Sequence, residues 1–185
     1  MIINEVEKIV REACAKENNV FKYALDRHFV PVVMNARKLA QKLGADEEIV
    51  VIAAWLHDYA SVYDKNLVAE HQIHSQRLAE EILNKLNYPK DRIEKVKYCI
   101  STHRGSGKIA PETIEAKCVA SADAMAHISE FGSLLILAWV IHKKDYDEGV
   151  DWALAKMERS WKKIMPEAKE LVADKYQAIK TVFGK

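Results

Sequence analysis

The residues best placed to carry chemistry are a histidine and an aspartate that end an apolar segment. His57 and Asp58 directly follow residues 49–56, a run without a polar side chain. Burying an imidazole or a carboxylate without a partner is unfavourable, so both groups must be hydrogen-bonded, ion-paired or bound to a metal ion. A divalent cation would satisfy both groups together, and we therefore predict a buried metal site.

Other histidines and one more aspartate occur in comparable positions. His28, His74 and His103 each lie near one end of a predicted helix and on its apolar face. Asp123 is the only charged residue among the small and apolar residues 118–126. A single histidine of this kind is usually a hydrogen-bonded core residue. Here, however, buried carboxylates need a counter-charge as well, and no lysine or arginine occupies a matching position in these segments.

The types of ligand indicate which ions the site would take. Two imidazoles and two carboxylates give a mixed nitrogen and oxygen site with room for water. Such a site suits Mn²⁺, Fe²⁺, Co²⁺, Ni²⁺, Mg²⁺ or Zn²⁺, and we expect one or two ions per chain. The candidate ligands are His28, His57, His74 and His103 with Asp58 and Asp123.

Helices are expected to position these residues. Apolar residues recur at spacings of three and four along most of the chain, as in amphipathic helices. The β-branched run 49–52 could also be a buried strand, but Asp46 before it, in position to cap a helix, favours a helix. Pro31 is comfortable only in a first helical turn, so a helix begins at or just before His28, or kinks there. We predict an all-α fold.

Length and composition indicate one globular domain. The chain has 185 residues, of which 49% are hydrophobic and 30% charged, and its net charge is +1. We expect a single domain over residues 1–185, with the metal-site core at 22–131, an N-terminal helix at 2–17 and C-terminal helices at 132–183. The balanced charge gives no bias towards a nucleic acid polymer or an anionic membrane.

Location and assembly follow from the apolar segments. The longest apolar runs are too short to span a bilayer, and the N-terminus does not have the pattern of a signal peptide. We therefore expect a cytoplasmic protein with no membrane partner. The apolar run 134–141 exceeds what one side of a helix needs, which predicts a homo-oligomer or an exposed apolar face.

One glycine-rich loop could bind phosphate. Arg104 and Lys108 flank it, directly after His103. Their side chains could hold phosphate oxygens and stabilise the charge of a transition state, although a solvated turn is the alternative. Lys65 is a weaker candidate of the same kind. The three remaining histidines are interpreted as structural or exposed: His71, His127 and His142. His127 lies one turn after Asp123 and could instead support a metal ligand.

The order of these residues on an all-α chain resembles the HD domain of metal-dependent phosphohydrolases. The resemblance covers roughly residues 22–131, and the segments 74–83 and 101–106 are similar to a stand-alone bacterial and archaeal branch. It implies a helical bundle with a central metal ion held by His28, His57, Asp58 and Asp123. In binuclear relatives Asp58 would bridge to a second ion, held by histidines at positions resembling His74 and His103.

The resemblance implies a phosphohydrolase of a small phosphoester, with nucleotides among the candidates. Asp58 would also orient the attacking water. Nucleotidase relatives are expected to carry an acidic residue where this chain has Ser61, and cyclic-dinucleotide phosphodiesterases a lysine near it. The substrate therefore does not carry over. Two other functions are open: a mixed-valence di-iron oxygenase of HD fold and a non-catalytic nucleotide-binding sensor.

Overall fold

The computed structural model describes residues 1–104 and 109–184, and within these ranges it contains helices and no β-strand. The all-α prediction is confirmed. The α-helices of the described part are, in chain order, α1 (Ile2–Ala15), α2 (Val30–Leu43), α3 (Glu47–Leu56), α4 (Tyr59–Tyr63), α5 (His71–Lys85), α6 (Lys90–Thr102), α7 (Ile114–Ser129), α8 (Phe131–Ile136), α9 (Tyr146–Lys163), α10 (Pro166–Lys169) and α11 (Ala173–Phe183). Two π-helical turns, Leu25–Phe29 and Leu137–Ile141, precede α2 and follow α8, and a 3₁₀ turn, Lys65–Leu67, follows α4.

Helix α3 forms the centre of the bundle. All of its residues from Ile49 to Leu56 are buried, and it packs against α1, α2, α6 and α7. Its N-terminus is capped by Asp46, whose Oδ1 accepts a hydrogen bond from the backbone N–H of Ile49 at 3.2 Å. A helix that is apolar on every side is buried on every side. The strand alternative for residues 49–52 is therefore wrong, and α3 delivers His57 and Asp58 into the interior.

The helix that carries His28 changes its winding before Pro31. His28 lies in the first π-helical turn, in which the N–H of Val30 donates to the carbonyl of Leu25. Pro31 then occupies the first turn of α2, where a missing N–H does not break the helix. Helical winding thus begins at Leu25, three residues before His28, and changes from π to α after Phe29; a kink at His28 is still a prediction.

Helix α7 places Asp123 inside the bundle. It packs against α2, α3, α6 and α9, and its residues 118–126 are all buried. Thr113 caps it, because its Oγ1 accepts a hydrogen bond from the N–H of Ala116 at 3.2 Å. The small side chains of α7 let the neighbouring helices approach closely, so Asp123 is surrounded by protein on every side.

The second π-helical turn is held against α9 by a glycine. The indole of Trp139 lies directly against Gly149, where a β-carbon would overlap it. Its Nε1 donates to the carbonyl of Tyr146 at 3.3 Å. This contact fixes the turn beside α9, and both elements border the cavity described below.

The buried apolar side chains of the described residues, apart from Ala120 and Ala138, form one connected cluster that reaches from α1 to α11. Domain boundaries and oligomeric state are still predictions. In the expected apolar run, Leu134, Leu135 and Ala138 are buried, whereas Ile136 and Val140 are exposed. No single helix in the ranges described is long and apolar enough to cross a membrane; α7 with residues 131–141 reaches the required length and composition only as a pair bent by 80°.

The cap of α3 can be tested by substitution. Asp46→Ala removes the acceptor for the N–H of Ile49, and we expect the free energy of unfolding to fall by about 1 kcal/mol, as for other lost N-caps. Asp46→Asn keeps a capping oxygen and should lose less, although both variants lose the ion pair with Arg92 at 2.9 Å. Urea denaturation of the two variants measures the difference. Equal losses would mean that the ion pair, rather than the cap, stabilises this end of α3.

Candidate metal centre

The four residues predicted to hold the first ion lie together in the middle of the bundle. His28 Nε2 is 3.0 Å from His57 Nε2 and 3.3 Å from Asp58 Oδ2. Asp123 Oδ1 lies 3.9 Å from His28 Nε2 and 4.0 Å from His57 Nε2. These side chains come from the turn before α2, the end of α3 and the middle of α7, so three separate segments build the group.

A second group of imidazoles lies on the other side of Asp58. Asp58 Oδ1 is 3.0 Å from His71 Nε2 and 3.4 Å from His103 Nε2. The residue of α5 predicted to lie near Asp58 was His74. In the structure His71 lies there instead. Helix α5 begins at His71, and three residues of helix rise by about 4.5 Å, so only the first turn reaches Asp58. His74 forms no ion pair with a carboxylate in the ranges the structure describes.

Backbone carbonyls orient three of the imidazoles. The Nδ1 atoms of His57, His71 and His103 lie 2.8, 2.9 and 2.6 Å from the carbonyl oxygens three residues earlier. A carbonyl oxygen can only accept, so in each neutral imidazole the proton is on Nδ1. In the neutral rings each Nε2 presents a lone pair near the Asp58 carboxylate. Asp58, 3.0 Å from His71 Nε2, raises the pKa of His71 against the effect of burial, so His71 is the ring in which the protonated form is favoured.

This arrangement fits a cation. Asp58 Oδ1 is buried and accepts no hydrogen bond within the described structure, although two imidazole nitrogens lie near it. A buried acceptor without a donor is unfavourable, and lone pairs that converge on a carboxylate make it more so. The donor atoms within 4.8 Å of one another form three overlapping groups: His28, His57 and Asp58; Asp58, His71 and His103; and His28, Asp123 and His127.

Electrostatics keep His57, Asp58 and Asp123 in the forms that bind metal. Burial lowers the pKa of His57 to about 4, so His57 is neutral at pH 7. Burial alone would raise the pKa of Asp58, but His71 and His57 outweigh it and hold that pKa well below its usual range. The pKa of Asp123 is likewise held well below its usual range, chiefly by His127 and Lys163, against the effect of burial.

Sequence reasoning missed Lys163. Its Nζ donates to Asp123 Oδ2 and to the carbonyl of His103, both at 2.8 Å. No local pattern marks this residue, because it ends an amphipathic helix next to the exposed Lys162. Ser160 lies on the same face of α9 as Lys163. This spacing is the only sequence evidence that Lys163 reaches the metal centre, and it can be used only once α9 is known to pack on α7.

His127 lies in the candidate metal centre, so its role is not purely structural. Its Nε2 is 3.5 Å from Asp123 Oδ1, one turn earlier on α7, and its ring stacks on His28 with centroids 5.6 Å apart. Its Nδ1 lies 3.1 Å from Ser160 Oγ. Burial lowers the pKa of His127 well below its ordinary value, so the ring is neutral at pH 7.

Of the cations predicted to bind phosphate, the structure places Arg104 beside the metal centre and Lys65 away from it. Arg104 Nη1 donates to Gln72 Oε1 at 3.0 Å, so its guanidinium lies at the start of α5, beside His71. Lys108 lies outside the described residues. Lys65 lines a separate cavity of about 560 Å³ with Lys16 and Tyr63, so the structure does not bring it to the metal centre.

Comparisons with known proteins agree with this geometry. A family model described as the HD domain matches residues 25–127. Ribonuclease Y from Alkaliphilus metalliredigens is 34% identical over 100 residues, which are 54% of this chain and 19% of that protein. An uncharacterized protein from Clostridium beijerinckii is 30% identical over 109 residues, which are 56% of this chain and 69% of that protein. The chain thus spans about a fifth of the length of the ribonuclease Y that it matches.

Two solved structures share the fold. A structural-genomics crystal structure from Lactobacillus plantarum has a TM-score of 0.77 at 17% identity and covers 98% of this chain and 93% of its own. A protein from an uncultured Thermotogales bacterium, described as a predicted HD superfamily hydrolase, has a TM-score of 0.65 at 19% identity, with coverages of 97% and 87%. The likeness extends beyond residues 25–127 to the C-terminal helices.

The contact between Lys163 and Asp123 predicts a stability effect that depends on metal. Lys163→Met leaves the buried carboxylate without its cation, and we expect the metal-free protein to lose about 3 kcal/mol of unfolding free energy, as for other broken buried pairs. Saturating Mn²⁺ should reduce this loss, because the ion would neutralise Asp123 instead. Denaturation with and without Mn²⁺ measures both values. Lys162→Met, at the exposed neighbouring residue, is the control, and an equal loss in both variants would contradict the role of Lys163.

Proposed function

Because this chain belongs to the HD domain family, we propose that it is a divalent-metal-dependent phosphohydrolase of a small phosphoester, with nucleotides among the candidates. One observation carries the proposal. The Asp58 carboxylate lies between two pairs of imidazoles, and one of its oxygens is buried without a hydrogen-bond donor in the described structure. A centre that fixes two carboxylates and several neutral histidines is suited to a divalent cation.

The donor set supports one ion or two. His28, His57, Asp58 and Asp123 would hold the first ion, and Asp58 with His71 and His103 a second. A divalent ion bound there supplies a Lewis acid that polarises a phosphoryl oxygen and activates water at neutral pH. The identity of the ion, among Mn²⁺, Fe²⁺, Co²⁺, Ni²⁺, Mg²⁺ and Zn²⁺, is part of the proposal.

The chain's own groups would orient the reactants. Asp58, charged at neutral pH, would accept a hydrogen bond from the attacking water and hold it in line with phosphorus. Arg104 is anchored by Gln72 and has further N–H groups that could donate to phosphoryl oxygens. Lys163 offsets one of the two carboxylate charges, which reduces repulsion of an anionic substrate.

A small substrate is favoured over a polymer. The name of the relative ribonuclease Y concerns RNA, but this chain has a net charge of +1 and so lacks the basic excess that binds a nucleic acid backbone. The proposed partner is a small phosphorylated molecule. A cytoplasmic location and a homo-oligomeric state belong to the same proposal.

The shared carboxylate also favours a second candidate, a mixed-valence di-iron oxygenase. A carboxylate between two groups of imidazoles could hold two iron ions as well as two redox-inert ones. The two functions differ in metal content and in reaction. Two irons per chain would support the oxygenase, and one redox-inert ion would exclude it.

The decisive experiment combines elemental analysis with a substrate screen. The purified protein is analysed for bound metals, and is then tested with each divalent ion against phosphomonoesters, phosphodiesters and nucleotides. Release of phosphate or of the alcohol, dependent on the ion and abolished by a chelator, would support the phosphohydrolase. Binding of nucleotides without turnover with any of the ions would instead support a sensor.

Asp58→Ala should abolish both metal binding and hydrolysis. In the wild type an ion present at 100 times its dissociation constant should add about 2.7 kcal/mol to the free energy of unfolding, and the variant should lose this gain. Without metal the variant should be as stable as the wild type or more so, because it lacks a buried charge. Thermal denaturation with and without ion measures both. A variant with full metal content would show that Asp58 is not a ligand.

His71→Ala and His74→Ala form a matched pair on α5. We expect His71→Ala to weaken binding of a second ion, because Asp58 Oδ1 then keeps only His103 as a neighbouring imidazole. His74→Ala should leave metal content unchanged and alter stability by no more than about 0.5 kcal/mol. Calorimetric titration with Mn²⁺ gives the number of ions per chain. A loss of ions in His74→Ala but not in His71→Ala would reverse the assignment.

A further inference from the structure

A cavity of about 300 Å³ opens directly beside the metal centre. At its inner end it is lined by His28, Asp58, His71 and His127. It extends from these residues to the protein surface between the segment before α2 and the turn after α8. A substrate bound at the centre therefore has this cavity as the space for the part of the molecule that is not phosphate.

The outer part of the cavity is apolar. Leu134, Leu137 and Ile141 line one side, and Phe21 lies among the residues on the other. Four large apolar side chains at the cavity are exposed: Val20 (40%), Tyr23 (61%), Ile136 (37%) and Val140 (53%). Exposed apolar residues that cluster around one opening mark a binding surface.

The cavity offers few groups that could read a nucleoside. Apart from Asp58, its described lining contains no carboxylate or amide side chain that could accept from sugar hydroxyls or pair with base edges. Its other polar side chains, besides the candidate metal ligands and Lys156, are Lys22, Tyr23, Arg27, Ser61, Ser133 and His142. A pocket selects a polar ligand only through groups that pair with it, and unpaired polar groups in an apolar pocket weaken binding. The lining favours an apolar ligand.

Neither lysine in the lining, Lys22 or Lys156, has a carboxylate partner within 4.0 Å in the described structure, and the Nζ of Lys22 donates instead to the carbonyl of Glu17 at 2.8 Å. Lys156, half-buried on α9, lines the cavity one and two turns before Ser160 and Lys163, which contact the centre. Burial lowers the pKa of Lys156, and the carboxylates of Asp123 and Asp58 oppose this shift without cancelling it. Because its side chain lines the cavity beside the metal ligands, Lys156 is placed to donate to an anionic group held between those ligands and the apolar wall.

We infer that the substrate is a phosphoester of an apolar alcohol, alkyl or aryl, with its organic part in this cavity and a phosphoryl oxygen on Lys156. The inference rests on the proposed phosphohydrolase function and names its substrate class. In the reaction water forms a new bond to phosphorus, the bond from phosphorus to the alcohol oxygen breaks, and a proton from water ends on that oxygen. The products are phosphate and the free apolar alcohol.

A chain-length series tests the substrate class. With Mn²⁺ present, kcat/KM is measured for methyl, butyl and hexyl phosphate and for AMP and ribose 5-phosphate. We expect a rise of about three- to fourfold for each methylene group until the cavity is filled, and hexyl phosphate at least about tenfold above AMP. A flat series, or AMP as the better substrate, would overturn the inference and leave the phosphohydrolase function supported.

Binding of inert phosphonates separates the two proposals. If no ester is hydrolysed, the proposed function fails, and calorimetry with hexylphosphonate and methylphosphonate decides the inference alone. Tighter binding of the hexyl compound, again by about three- to fourfold per methylene, supports the cavity assignment. Equal binding overturns it.

Matched variants test the apolar wall of the cavity and Lys156 separately. Val140→Asn should remove most of the preference for hexylphosphonate, whereas Val182→Asn, exposed on α11 away from the cavity, should not. Lys156→Met should weaken both phosphonates alike by about tenfold or more, the effect of one lost charge-assisted hydrogen bond, and Lys156→Arg should recover part of it. Melting temperatures verify folding. Unchanged binding in Val140→Asn and Lys156→Met would overturn the assignment.

Discussion

The structure depends on the way backbone carbonyls orient the buried imidazoles. Each of His57, His71 and His103 has its Nδ1 against the carbonyl three residues earlier, so its Nε2 lies towards the Asp58 carboxylate. Unprotonated nitrogens and a carboxylate that face one another in a buried space repel, and a cation between them, or the protonation of His71 that Asp58 favours, makes the arrangement favourable. The helices around the centre hold these groups in place, because each contributes its ligand from a rigid end or a buried face.

Helix α3 shows how the fold makes such a centre tolerable. Its burial on every side supplies much of the hydrophobic stabilisation of the core, since each large apolar side chain removed from water contributes about 1.5–3 kcal/mol. The polar dipeptide stands at the end of this helix, and no charged group of α3 itself can pair with it. Part of the missing positive charge comes from α9, through Lys163 on Asp123. The residues of the candidate metal centre therefore also affect the stability of the fold.

The C-terminal helices belong to the centre although the family model ends at residue 127. Lys163, Ser160 and Lys156 reach it from one face of α9, and the turn after α8 forms the apolar side of the adjoining cavity. The donor atoms of the candidate metal centre all lie within or at the end of the matched segment. The segment that follows it contributes the cation on Asp123 and one apolar side of the cavity.

The sequence alone determined the all-α class and the cap and full burial of α3, because periodicity and capping are local signals. Isolated polar residues in apolar runs marked candidate ligands, but the meeting of His28, His57, Asp58 and Asp123 as one set was implied by the resemblance to the HD domain. Local signals could not choose between His71 and His74, which share a helix face; the start of α5 relative to Asp58 decided it. Nor could they reveal Lys163, which lies 40 residues beyond the carboxylate it neutralises. That contact exists only because α9 packs on α7, and packing between distant segments is decided by tertiary structure.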